Sequence, residues 1–227
     1  MSMSNNVLYV RNLTKSINNK VILQECNITI KKGEICSLFG KNGTGKSLFL
    51  KCILGYTDFD FGVVKIGDYN IRERRQIRKY SGFVPSDDYS FCQLLTPNEY
   101  FSFIQSVFSL PYKETRKKIE YLAEKLAVQP YLDELIENLS FGTRKKIVLI
   151  GTLLYDPILL VCDEIFEGLD EQSVREVQDL FLNKKKIGHS ILFTTHLYDE
   201  AITITDKCYQ IVDRKIIEVD TSQKGVL

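Results

Sequence analysis

Ile35-Cys36-Ser37-Leu38-Phe39-Gly40-Lys41-Asn42-Gly43-Thr44-Gly45-Lys46-Ser47 is an apolar, strand-like run that breaks into glycines and closes on a Lys-Ser pair. Gly40, Gly45, Lys46 and Ser47 fill the pattern G-x-x-x-x-G-K-[ST] of a phosphate-binding loop. Glycines lack Cβ atoms, so the chain can wrap closely round a polyphosphate with several backbone N–H groups pointing inward. The next run, Ser47 to Leu54, is apolar on nearly every side and stops at Gly55. It predicts a buried helix whose N-terminus faces the same anion. Lys46 is then placed to reach the outer phosphates, and Ser47 to offer its hydroxyl to Mg²⁺. A plain glycine turn between strand and helix is the alternative, and the four fixed positions argue against it.

The chain has 227 residues, 44% of them hydrophobic, enough for one α/β domain or two small ones. A net charge of +1 gives no global field that would draw in nucleic acid or a charged membrane. Cys26, Cys36, Cys52, Cys92, Cys162 and Cys208 are scattered, with no C-x-x-C pair, and several sit in apolar runs. That usage favours a reducing cytosol over a disulfide framework, and the two histidines suggest no zinc site. The start, Met1 to Asn6, is polar and lacks a signal-peptide core. No apolar run approaches the ~18 residues of a membrane span.

Val7 to Val10, Val21 to Leu23 and Ile28 to Ile30 read as short strands, with Val63 to Ile66 as one more of the same layer. Arg72, Arg74, Arg75, Arg78 and Lys79 form a basic stretch, read as a solvated face. Gly82 to Pro85 reads as a short strand. Thr96-Pro97-Asn98-Glu99 combines a cap, Pro at the first helical position and Glu three residues on. Helices are predicted over Pro97 to Phe108 and Tyr112 to Leu126, a helical insertion in the α/β alternation. Its aromatics (Tyr89, Phe91, Tyr100, Phe101, Phe103, Phe108 and Tyr112) are read as core, with a partner groove as the alternative. Strands at Ile158 to Cys162 and Ser190 to Thr195, a helix after Asp170 and a hairpin turning at Asp213-Arg214 complete the chain.

Asp163 and Glu164 end a buried-strand run, the edge at which open α/β sheets bind ligands. Asp163 would hold Mg²⁺ through its water shell, and Glu164 could take a proton from an attacking water.

With these segments in order, nearly the whole chain resembles the nucleotide-binding domain of ATP-binding cassette proteins. By that resemblance, Leu139-Ser140-Phe141-Gly142-Thr143 is the signature segment, opening a helix and facing the γ-phosphate of an ATP held by a second subunit. Arg144, Lys145 and Lys146 oppose that helix's dipole, which suits an external anion. Asp170 falls in the segment facing the partner subunit and could also cap the next helix. His196 matches the switch histidine that contacts the γ-phosphate and Glu164. The nucleotide-binding set implied is Gly40, Lys41, Asn42, Gly43, Thr44, Gly45, Lys46, Ser47 and Leu48, with Ser140, Gly142 and Asp170 acting across the dimer. The sequence departs from the family pattern at Ser86, where a Gln ligand near Mg²⁺ is usual. It departs also at Ile17, where an aromatic usually stacks on adenine, at Phe141 in place of glycine, and at Ile165 and Phe166.

The fold expected is α/β: a P-loop NTPase core with an N-terminal antiparallel β-subdomain and an inserted α-helical subdomain. Residues 1–85 and 156–227 form the core and about 86–155 the insertion, in one domain. The function implied is that of an ATPase using Mg-ATP, dimeric, cytoplasmic and peripheral at the inner face of the membrane. It would drive a transmembrane permease subunit, as in exporter-type systems, with no nucleic acid expected. Two alternatives are a soluble cassette acting on ribosomes or DNA and a nucleotide-sensing module with little turnover.

Overall fold

A computed structural model describes residues 5–196 and 201–219. The polar start read at Met1 to Asn6 lies, up to Ser4, outside the described residues. The elements are β1 (Asn6–Ile17), β2 (Lys20–Lys31), β3 (Ile35–Phe39), α1 (Lys46–Ile53), β4 (Phe61–Ile66), β5 (Tyr69–Asn70), α2 (Arg74–Tyr80) and β6 (Ser81–Val84). After these come α3 (Pro97–Val107), α4 (Tyr112–Lys125), α5 (Phe141–Leu154), β7 (Leu159–Cys162), α6 (Glu171–Lys186), β8 (Ser190–Thr194), β9 (Lys207–Val212) and β10 (Lys215–Val219).

A six-stranded sheet runs β10-β9-β3-β8-β7-β6, with every neighbouring pair parallel except β10 with β9. β3, β7 and β8 are buried along their whole length, which is why they read as unbroken apolar runs. Their side chains alternate between two cores. Ile35, Leu160, Cys162, Ile191 and Phe193 join the core beneath α5 and α6. Cys36, Leu38, Leu159, Val161 and Leu192 join the core shared with α1 and a second sheet. All six cysteines are buried free thiols.

That second sheet is antiparallel, in the order β2-β1-β4-β5. The three short strands expected before residue 31 are in fact two strands of 12 residues each, joined at Asn18-Asn19. Both asparagines take positive φ, 49° and 63°, the backbone a two-residue hairpin turn demands. Register shifts along the β1–β2 pair, with Asn12 and Glu25 at positive φ, break the alternation that periodicity relies on.

Thr96 and Glu99 form the reciprocal capping box that starts α3. α4 buries Leu122 and Ala123 with Leu126 just beyond, the face expected from spacing. The aromatics of this region divide: Tyr89, Tyr100 and Phe101 are buried, while Phe91, Phe103 and Tyr112 are exposed. α3 crosses α5 at Gly151, where a Cβ would lie 2.4 Å from the Tyr100 ring. Gly151→Ala is therefore expected to destabilise the protein by about 1–3 kcal/mol through overpacking. Equilibrium denaturant unfolding reads this directly, and an unchanged midpoint would show that α3 is free to move away.

Candidate functional site

Parallel pairing sets three strand ends side by side. The glycine loop follows β3, Thr195-His196 follow β8 and Asp163-Glu164 follow β7. Gly43 and Gly45 take φ of 79° and 102°, and a Cβ at Gly45 would press to 3.1 Å from Ile22 and 3.2 Å from Leu23 on β2. Glycine is thus required there by both conformation and packing. Lys46 is 6% exposed, and its ammonium donates to the Gly40 carbonyl at 2.7 Å. It also pairs with Glu164 Oε1 at 3.0 Å. Lys41, Asn42 and Gly43 are exposed at the loop's crest, with Thr44 Oγ1 donating to the Lys41 carbonyl. Ser47 and Leu48 open α1.

Asp163 is buried, and Thr194 Oγ1 donates to its carboxylate at 2.6 Å. The same hydroxyl accepts the Glu164 N–H at 2.8 Å, so one side chain on β8 orders both acids that follow β7. Glu164 has φ 46°, a left-handed backbone uncommon for a residue with a side chain. Its other oxygen, Oε2, lies 3.1 Å from His196 Nδ1. Ile165 and Phe166, read as departures from the family pattern, are core anchors: Phe166 meets the rings of Phe181 and Phe193 at centroid distances of 6.5 and 5.4 Å.

Ser47, Ser86 and Asp163 line a cavity of about 810 Å³ whose walls also include Tyr56, Phe83, Phe91, Tyr100 and Phe108. Ser86 Oγ donates to Asp87 Oδ1, and the Tyr89 hydroxyl holds the Ser86 carbonyl. Among the described residues no cluster of three His, Cys, Asp or Glu side chains could cage a metal ion. One carboxylate and hydroxyls suit Mg²⁺, which keeps several waters and shares substrate phosphate oxygens.

The remaining expected residues lie elsewhere. Ile17 ends β1, 46% exposed. Ser140 caps α5, accepting the Thr143 N–H. Gly142 lies against Gly168, where a Cβ would come within 2.5 Å of the Gly168 carbonyl oxygen. Asp170 caps α6, and the Ser173 amide and hydroxyl hold its carboxyl below the usual range. Each of the three cations that follow Thr143 is engaged by carbonyls within the chain. Arg144 donates to the Leu139 carbonyl, Lys146 to the Leu126 carbonyl and Lys145 to those of Glu164 and Glu167. Lys145 is wholly buried, and burial pushes its ammonium down to about 8. Sequence reasoning missed Lys145 and Thr194. Lys145 falls in register with buried Gly142, Leu149 and Thr152, which was its one available signal.

A glycine-rich phosphate loop after one parallel strand, with a buried carboxylate just past the end of a nearby strand, defines a P-loop α/β nucleotide-binding protein. Residues 23–167 match the ABC transporter family. The chain is 30% identical over 219 residues to Nod factor export ATP-binding protein I of Sinorhizobium fredii, covering 96% of this chain and 64% of that one. It is 25% identical over 222 residues to the spermidine/putrescine import ATP-binding protein PotA of Clostridium novyi, covering 97% of this chain and 64% of that one. A solved ATP-binding subunit of an ABC transporter superposes with a TM-score of 0.88 at 22% identity, covering 95% of this chain and 90% of that one. The chain belongs to the ABC transporter family, as an ATP-binding, ATP-hydrolysing cassette. No helix among the described residues is long and apolar enough to cross a membrane.

Thr194→Val keeps the shape but strands a buried carboxylate oxygen and the Glu164 N–H. A loss of about 1–3 kcal/mol is expected, with Thr194→Ser close to wild type. Thermal unfolding of the two variants side by side checks it, and a Val variant as stable as wild type beside a destabilised Ser variant would mean that the methyl group, not the hydroxyl, matters.

Proposed function

We propose that two copies of this cassette close head-to-tail around two Mg-ATP and drive a separate membrane subunit. The observation that carries this is the position of Glu164, its carboxylate held between Lys46 at 3.0 Å and His196 at 3.1 Å beside the glycine loop. In this reading the backbone N–H groups of Gly40 to Leu48 bind the phosphates and Lys46 takes the terminal one. An incoming phosphate competes with Glu164 for the Lys46 ammonium, so binding releases the carboxylate to act as base on water. His196 then orients the terminal phosphate and Glu164. Ser47, Asp163 and, through water, Ser86 would hold Mg²⁺, which neutralises phosphate charge. Ile17 offers adenine an apolar surface without aromatic stacking. Ser140 and Gly142 at the start of α5, with Asp170, face the second copy, where the N-terminus of a helix suits an anion.

The domain organisation proposed is a core of residues 1–85 and 156–227 with a helical insertion of about 86–155. The insertion is the docking lobe. Phe91, Leu94, Phe103 and Val107 are all more than half exposed, beside a cavity walled by further aromatics. Such a patch fits an apolar segment of the membrane partner. The protein would then sit peripherally on the cytoplasmic face. Export is the direction proposed, in keeping with the similarity to the Nod factor export protein.

Glu164→Gln is expected to lower ATP hydrolysis about 10²- to 10⁴-fold and to accumulate as an ATP-bound dimer. Steady-state phosphate release and size-exclusion chromatography with Mg-ATP test both halves. Equal turnover in both proteins, with neither forming a dimer, would remove the reading.

A further inference from the structure

Lys46 and Lys145 are the two buried lysines among the described residues, and only Lys46 lies in the phosphate loop. Burying an ammonium is costly unless its protons find acceptors. The Lys145 ammonium has two, the carbonyls of Glu164 at 2.6 Å and Glu167 at 2.9 Å, and lies 4.5 Å from the centroid of the Phe141 ring. Both acceptors are backbone atoms, so the charge is directed at the shape of a turn. The Phe141 ring covers it and packs in turn on Gly168, where a Cβ would lie 2.5 Å from the ring.

Glu164 occupies a left-handed backbone that persists only where its surroundings over-determine it. Both of its backbone polar groups are held from outside β7. Thr194 takes the N–H, while Lys145 and the Glu167 N–H converge on the carbonyl. We propose that Lys145 is a positioning residue for ATP hydrolysis: from α5 it clamps the backbone of Glu164 so that the carboxylate stands between Lys46 and His196. The inference rests on the assignment of Glu164 as the base. Lys145 also lies only five residues after Ser140, roughly 7 Å along one helix. In a head-to-tail dimer, Ser140 and Glu164 of one chain serve different ATP molecules. The clamp therefore ties the docking of Ser140 on one nucleotide to the base acting on the other.

The test compares kcat for Mg-ATP hydrolysis with calorimetric ATP affinity in the full-length protein. Lys145→Met keeps an unbranched apolar stem, one bond shorter than the ammonium's reach, but donates nothing. It is expected to lower kcat about 10- to 100-fold, as slight misplacement of a catalytic group does, with ATP affinity unchanged. Lys145→Gln, one bond shorter, can reach one carbonyl at most and is expected to lose about 3- to 10-fold in kcat, again at wild-type affinity. Wild-type kcat in either variant overturns the inference, as does a parallel loss of kcat and affinity. If Lys145→Met does not fold, Lys145→Gln is judged alone by the same two quantities. Glu164→Gln in the same series separates the two readings. Should it hydrolyse ATP like wild type, Glu164 is not the base and both fall; should it be inactive while the Lys145 variants are active, only the clamp falls.

Discussion

Parallel pairing of β3, β8 and β7 is the constraint on which the site depends. The three strands are buried on both faces, so a slip of one residue would exchange their side chains between two different cores. Burial therefore fixes register. Register in turn fixes where each strand runs out: glycine loop, His196 and the Asp163-Glu164 pair emerge together because their strands are neighbours. The convergence of a cation, two acids and an imidazole is thus a by-product of apolar packing several residues away.

The turn after β7 shows how the fold tolerates strain where chemistry is placed. Glu164 adopts an unfavourable backbone, and the residues that follow supply the compensation. Ile165 and Phe166 are buried, with Phe166 set among Phe181 and Phe193. Gly168 admits the Phe141 ring, and Asp170 starts α6 with a charged cap. An acid at the edge of a sheet is in this way tied to two helices as well as two strands. Backbone contacts hold the turn, whereas the Glu164 carboxylate engages two side chains, Lys46 and His196.

The cavity lined by Ser47, Ser86 and Asp163 is also walled by aromatics, Tyr56, Phe83, Phe91, Tyr100 and Phe108 among them. In the assembly proposed, the same groove would meet both the nucleotide and the membrane partner. Ser86 stands where the two meet, its carbonyl held by the Tyr89 hydroxyl and Tyr89 in turn facing Phe141 at a centroid distance of 6.2 Å. Tyr89 thereby links the end of β6 to the start of α5.

Local signals carried much of this molecule. The glycine loop, the capping box at Thr96 and Glu99, the apolar runs of β3, β7 and β8 and the acids that end β7 are legible because each depends on residues within a few positions of one another. The long β1–β2 hairpin was not, since its bulges disrupt alternation and its turn uses Asn18-Asn19 without glycine. Lys145 was misread for a related reason. In the sequence it is one of three adjacent cations at a helix start, and nothing local distinguishes the one that points inward. Only the approach of the Glu164–Glu167 turn, brought in by β7 from some 20 residues away, supplies the carbonyls that make burying its charge tolerable. The sequence by itself determined which strand ends and loops are the candidates for the chemistry, because residue type and spacing act at short range. Tertiary structure alone decided which side chains hold those loops in shape, because a buried polar group is defined by partners that only folding brings near.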